Sequence, residues 1–116
     1  MEFIVKRSEW FRGQGSAQSY LVRALDNKKC CLGFLGEACG VPIASMIGAG
    51  VPEVVLGKDR RLFPRSYFGS NDLVDRSIVS DEIIFTNDSK YLSEAERESK
   101  LIELFRKLDI DVRFED

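Results

Sequence analysis

The chain reads as a small single α+β domain over residues 1–116. About three short strands form an antiparallel sheet with the two terminal strands adjacent, packed on a buried central helix and a C-terminal amphipathic helix. Three observations predict this. Residues 30–39 carry apolar side chains around nearly the whole circumference of a helix, with Glu37 as the one charge, the pattern of a helix buried on most sides. Leu101, Leu104, Phe105 and Leu108 recur at i, i+3, i+4 and i+7, which is one apolar helical stripe. Ile110, Val112 and Phe114 alternate with Asp111 and Arg113, the period of a half-buried strand. A chain of 116 residues makes one domain the expectation. At that size roughly two thirds of the unfolded surface is buried, so neither disulfide nor metal is needed to fold.

Residues 2–6 are β-branched and aromatic and favour a strand. Residues 7–12 fit one helical turn or an irregular corner, and residues 13–16, Gly13-Gln14-Gly15-Ser16, read as a loop. Residues 19–25 alternate imperfectly, with Leu21 and Ala24 apolar and Arg23 polar, and read as a strand closed by a turn at Asp26-Asn27-Lys28. In the helix over 30–39, Gly33 and Gly36 each cost about 1 kcal/mol relative to alanine, a cost that close approach of another backbone offsets. Gly40 stands where a left-handed cap is expected, with Pro42 beyond it.

Residues 42–50 hold one or two helical turns, and 51–56 fit a strand or a helix. Residues 57–72 read as a loop. Residues 80–87 read as a short helix with Ser80 as its cap, although the stretch EIIFT alone also fits a strand. Ser93 and Glu96 form a capping box. In the helix that follows, acids lead and bases trail, matching the dipole, and Arg97, Lys100, Glu103 and Arg106 lie largely off the apolar stripe.

Composition removes several functions. Seventeen basic residues against nineteen acidic give a net charge of −2, which argues against a dedicated nucleic-acid binder. No run approaches the ~18 apolar residues of a membrane span, and the first residues lack the apolar core of a signal peptide. The expectation is a protein of the cytoplasm, and three cysteines, an odd number, fit a reducing compartment. The chain has no histidine, which excludes Cys-His and Ser-His catalysis and Cys/His zinc sites within it. No catalytic residue, metal ligand or cofactor is assigned.

The candidate contact residues fall in three places. Cys30, preceded by Lys28 and Lys29, stands at the start of a helix, where free N–H groups lower a thiol pKa. A thiolate alone does not complete acyl transfer, because the leaving group needs a proton donor. Interior packing is the competing reading, with Cys31 and Cys39 filling core space beside Phe34 and Leu35. The same helix start with Lys28 and Lys29 is also a candidate seat for a small anion or nucleotide. Trp10 and Arg12 make either a contact hot spot or a core tryptophan with an arginine at its edge. Arg60, Arg61, Phe63 and Arg65 interleave base and aromatic, as in an RNA or single-strand contact or a solvated loop favoured by the net charge, and the length of the loop invites a recognition role. Asn87-Asp88 fits a helix end or an Asx-turn. Glu37 is expected to pair with Lys29, Arg12 or Arg23.

Trp10, then Arg12-Gly13, then Cys30-Cys31-Leu32-Gly33, and late in the chain Asn87-Asp88 before an acid-started helix, form a pattern that resembles a family of small phage and prophage proteins. The likeness covers residues 10–40 and 84–114. It implies a virus-related origin and a bacterial cytoplasm, and it supplies no reaction. The function expected is therefore that of a non-catalytic binding protein. It contacts a bacterial or phage protein, and inhibition of a host defence or metabolic protein fits its size and acidic balance. The alternative is an anion- or nucleotide-binding module at the head of the 30–39 helix.

Overall fold

The computed structural model of the chain describes residues 1–13, 19–68 and 73–116, with side chains for all of these except 73–78 and 80. Strand β1 (Glu2–Lys6) opens the fold and runs into a 3-10 turn at Arg7–Glu9. Helix α1 (Cys31–Ala38) follows, then the short helices α2 (Ile43–Met46), α3 (Gly57–Arg60) and α4 (Arg65–Phe68), with a 3-10 turn at Pro52–Val54 before α3. Helix α5 (Leu73–Asp88), helix α6 (Glu94–Arg106) and strand β2 (Asp111–Glu115) complete it. Among the described residues no helix is long and apolar enough to cross a membrane.

The sheet differs from the one expected. Two strands, not three, are present among the described residues, and they are parallel: Glu2 pairs with Asp111, Ile4 with Arg113 and Lys6 with Glu115. The terminal strands are adjacent, but their direction is set by what precedes β2. Asp109 takes a left-handed conformation (φ 59°). The Asp109 and Ile110 N–H groups then donate to the Arg106 and Phe105 carbonyls, closing α6 in the manner of a Schellman turn. That reversal sends the chain back along α6 and beside β1 in the same direction. The helices between β1 and β2 serve as the long crossover that a parallel pair requires.

The strand expected over 19–25 does not form as such, although Leu21 and Val22, consecutive residues, are both fully buried. The segment makes only an isolated parallel bridge, Val22 to Ile47, and no extended ladder. Its backbone bonds go to the residues after α2: the Leu21 N–H donates to Ala49 O at 2.7 Å, and Val22 O accepts from the Gly48 N–H at 3.2 Å. The turn that closes this segment does form, with Asn27 left-handed at φ 59°.

Helix α1 is the axle of the fold, as its apolar circumference predicts. Cys31, Leu32, Gly33, Phe34, Leu35 and Gly36 are all buried. Gly33 answers the expected close approach of a backbone: a Cβ there would lie 1.8 Å from Leu21 O. Gly36 instead faces side chains, with Met46 Sδ at 2.6 Å from its virtual Cβ and the Phe63 ring at 2.8 Å. Gly40, at φ +86°, ends the helix, with its own N–H donating to Glu37 O and the Val41 N–H to Gly36 O.

Helix α6 lays its stripe against the sheet. Phe105 meets Phe3 edge-on, with ring centroids 5.1 Å apart, and the capping box at Ser93 and Glu96 is formed. The helix expected over 80–87 is the second half of the longer α5, so Ser80 is interior rather than a cap. The segment 57–72 is not a plain loop: α3 and α4 each add a turn, and residues 69–72 lie outside the described residues. So do residues 14–16 of the predicted Gly-rich loop.

Candidate functional site

The end of α5 places Asn87 and Asp88 against the head of α1 and the chain leaving β1. Asn87 is 1% exposed. Its Oδ1 accepts the Trp10 indole N–H at 2.7 Å and the Cys31 backbone N–H at 3.1 Å. Its two Nδ2 hydrogens are shared among Phe11 O and Ser19 Oγ, each at 3.2 Å, and Asp88 Oδ1 at 2.9 Å. Asp88 Oδ1 also accepts from the Gly13 N–H at 3.1 Å and from the Ser19 hydroxyl. One carboxylate oxygen thus ties both flanks of residues 14–18, and one carboxamide joins β1's exit, α1 and α5. Asn87 and Ser19 are buried, Asp88 is partly so, and each is partnered, as polar groups taken out of water require.

A second layer surrounds this latch. The Arg12 guanidinium stacks 3.9 Å above the Trp10 ring and its Nη2 lies 2.6 Å from Glu94 Oε2. Glu94 Oε1 accepts from Arg97 Nε at 3.0 Å. Arg97 is 2% exposed, and its Nη1 donates to the Thr86 and Asn87 carbonyls at 2.9 and 3.1 Å. It satisfies the last carbonyls of α5, where a cation also meets the negative end of the dipole. The sequence placed Arg97 off the apolar stripe, and the structure corrects this. The signal was its spacing: it stands one turn before Leu101.

The head of α1 is sealed. Burial pushes the Cys30 thiol up to about 12, and the Gly33 and Leu32 N–H groups offset that only in part. Burial also drives the Cys31 thiol well above its ordinary value. Interior packing, rather than an ionised nucleophile, is what these two sulfurs do. Cys39, only half-buried, has its Sγ 3.8 Å from Met1 Sδ. The Lys29 side chain is 5% exposed, with its Nζ 3.2 Å from Glu37 and 3.8 Å from Glu9 and 5.2 Å from the Phe34 ring centre. The expected Glu37 pair is therefore with Lys29. With the Cys31 N–H bonded to Asn87 and Lys29 turned to Glu37 and Glu9, the helix start faces internal acceptors rather than an open anion seat.

The remaining sequence candidates separate. Trp10 is in the core at 2% exposure, with Arg12 at its edge. Lys28 is exposed. Phe63 is buried against Gly36 and Phe68, so it is core and not a contact residue, while Arg60, Arg61 and Arg65 are exposed. The sequence did not show a further feature, a groove of about 410 Å³ lined by Ala44, Ser45, Ile47, Gly48, Ala49, Val54, Leu56 and Asp59. Ile47, Val54 and Leu56 are 44%, 56% and 86% exposed. The Ser45 hydroxyl bonds Asp59 Oδ2 across the groove, and the Tyr67 hydroxyl donates to Glu53 Oε1 at 3.0 Å, fixing the 3-10 turn.

Fold and site together define a small α+β domain with a two-stranded parallel sheet, a polar latch and a surface groove edged by the exposed side chains of Ile47, Val54 and Leu56. The chain matches no family model, no curated protein and no solved structure.

Proposed function

We propose that this chain is a non-catalytic binding protein of phage or prophage origin. In this reading it acts in the bacterial cytoplasm by docking on a protein of the host or the phage. The observation that carries the proposal is the exposure of Ile47, Val54 and Leu56 around one groove. Large apolar side chains left in water together around one concave site point to a contact surface. Arg60, next in the chain to Asp59 of the lining and with its Nη1 3.4 Å from Glu53 O, is the residue type enriched at contact hot spots. The partner surface these side chains fit is an apolar anchor beside a carboxylate, and inhibition of a host defence or metabolic protein is the consequence proposed. The origin and compartment rest on the resemblance carried by Trp10, the Cys30–Gly33 block and Asn87-Asp88.

Affinity capture from a bacterial lysate tests this when wild type is run beside Leu56→Asp, with both shown to be folded by circular dichroism. The expected result is a protein enriched by wild type and lost with Leu56→Asp, whose reconstituted complex weakens as salt is raised. Equal recovery by both chains, or no enriched protein, overturns the proposal.

A further inference from the structure

The arginines of this chain divide into two sets. Arg7, Arg12, Arg23, Arg97, Arg106 and Arg113 each lie within 4.0 Å of a carboxylate. Arg60, Arg61 and Arg65 are all exposed, and among the described residues no carboxylate pairs with any of them or with Lys58. Acids are not scarce, since nineteen acidic residues outnumber seventeen basic ones. Residues 52–68 hold four cations and two carboxylates, a net of +2 in a chain whose net charge is −2. Both carboxylates are engaged by hydroxyls, Asp59 Oδ2 by Ser45 and Glu53 Oε1 by Tyr67. Acids on neighbouring elements are paired elsewhere, Glu37 with Lys29 and Asp26 with Arg23.

These cations stand on the elements that build the α2–α3 groove. Helix α3 is a single turn with Leu56 at its N-cap and Arg61 at its C-cap, and Leu56 and Asp59 line the groove. At a rise of ~1.5 Å per residue, the backbone of Lys58, Arg60 and Arg61 lies within about 6 Å of that of Asp59. Arg65 opens α4, whose Tyr67 bonds the 3-10 turn that carries Val54.

We propose, taking that groove as a docking site, that its occupant is an acidic segment of a partner protein, with one large apolar side chain against Ile47, Val54 and Leu56 and several carboxylates on Arg60, Arg61 and Arg65. A guanidinium fork meets a carboxylate in two parallel hydrogen bonds, and a surface of one net sign selects its partner by charge. A single-stranded nucleic acid is the poorer occupant. Such strands are held by exposed rings on which bases stack. Here Phe63 and Tyr67 are 2% and 1% exposed, and Phe68 packs edge-on against both. The net charge of −4 on the rest of the chain also repels a polyanion.

Three blocked peptides are the probes, titrated into the full chain and read from backbone amide shifts. They are acetyl-Glu-Glu-Asp-Phe-Glu-Glu-amide, its neutral counterpart acetyl-Gln-Gln-Asn-Phe-Gln-Gln-amide, and acetyl-Glu-Glu-Asp-Ser-Glu-Glu-amide, which lacks the aromatic anchor. The first moves amides between Val54 and Arg61 and binds about tenfold more tightly than either of the others at low salt. Its advantage over the neutral peptide shrinks as salt is raised. The variant Arg60→Gln/Arg61→Gln/Arg65→Gln changes only exposed side chains, and it lowers the affinity of the first peptide to that of the neutral one.

Equal affinity for the acidic and neutral phenylalanine peptides, or unchanged affinity in the triple variant, overturns this inference and leaves the groove itself standing as a docking site. Equal affinity with and without the phenylalanine, shifts confined to other residues, or no binding at millimolar peptide overturns the inference together with the groove as the place of docking. A uridine octamer that binds more tightly than the first peptide overturns it in favour of nucleic acid.

Discussion

Replacing Asn87 with alanine is the sharpest test of the latch. The substitution deletes an acceptor that serves two buried donors, the Trp10 indole N–H and the Cys31 N–H. It also deletes the donor to Phe11 O, Ser19 Oγ and Asp88 Oδ1. A buried donor left without a partner costs about 1–3 kcal/mol. Two such donors, with partial relief from entering water, give an expected loss of about 3 kcal/mol. That is a large share of the roughly 5–15 kcal/mol that holds a domain together. Trp10 is the only tryptophan and sits at the site, so its fluorescence follows urea unfolding directly. The midpoint should fall with the slope unchanged. Trp10→Phe, followed by circular dichroism, should cost less in the Asn87→Ala background than alone, because the two share one bond. A loss below about 1 kcal/mol, or additive effects, would refute the account of Asn87 as the joint between β1, α1 and α5.

The two α1 glycines and the cap beyond them should respond differently to alanine. Gly33→Ala puts a methyl 1.8 Å from Leu21 O, which is backbone, and should cost about 3 kcal/mol or prevent folding. Gly40→Ala meets open space and should cost only the left-handed penalty, about 1–2 kcal/mol, with both read from thermal melts. In native protein at neutral pH, Cys39 should react with a thiol reagent ahead of Cys30 and Cys31, whose thiols burial drives up, and the buried pair should react only on unfolding. Asp26 is held at about 2, below its ordinary 3.8, chiefly by its hydrogen bond with Arg23. Its depressed value stabilises the fold above the ordinary carboxylate range, and that contribution is lost as pH falls toward 2. A carboxyl titration followed by NMR should place it there, and Arg23→Gln should return it upward.

The parts of the fold that were legible in the sequence are those governed by local pattern. The i, i+3, i+4 stripe of α6, its capping box and the apolar circumference of α1 each specify burial from neighbours in the chain. The strict alternation after Ile110 likewise located β2. Strand direction was not legible, because it depends on Asp109 adopting a left-handed turn that its identity merely permits. The strand expected at 19–25 rested on a weak alternation, and the segment keeps only one isolated bridge, from Val22 to Ile47. The latch was visible only in part. Trp10, Arg12-Gly13, Cys30-Cys31 and Asn87-Asp88 stood out as separate motifs. Their convergence is a contact between residues more than 50 positions apart, and no period or spacing encodes it. The α2–α3 groove was missed because Ile47, Val54 and Leu56 look like core residues until their exposure is seen.

Arg97 shows why such a network is more than a store of stability. Burying a guanidinium costs several kcal/mol, and its attraction to Glu94 need not recover all of that. Yet its planar fork meets the Thr86 and Asn87 carbonyls and the Glu94 carboxylate at once. No lysine can reproduce this, since an ammonium lacks that fixed spread of donors. The arginine therefore sets the angle at which α5 ends and α6 begins, and so holds Asn87 where Trp10 and Cys31 can reach it. Arg97→Lys should keep the charge and still lose about 3 kcal/mol, the usual result of breaking a buried pair. It should also shift the emission of Trp10 as the indole bond loosens. Arg97→Met, which removes the buried charge, should cost no more than the lysine variant if the geometry of the fork, and not the charge, is what matters. A methionine variant much less stable than the lysine one in urea would place the effect in electrostatics and sink this explanation.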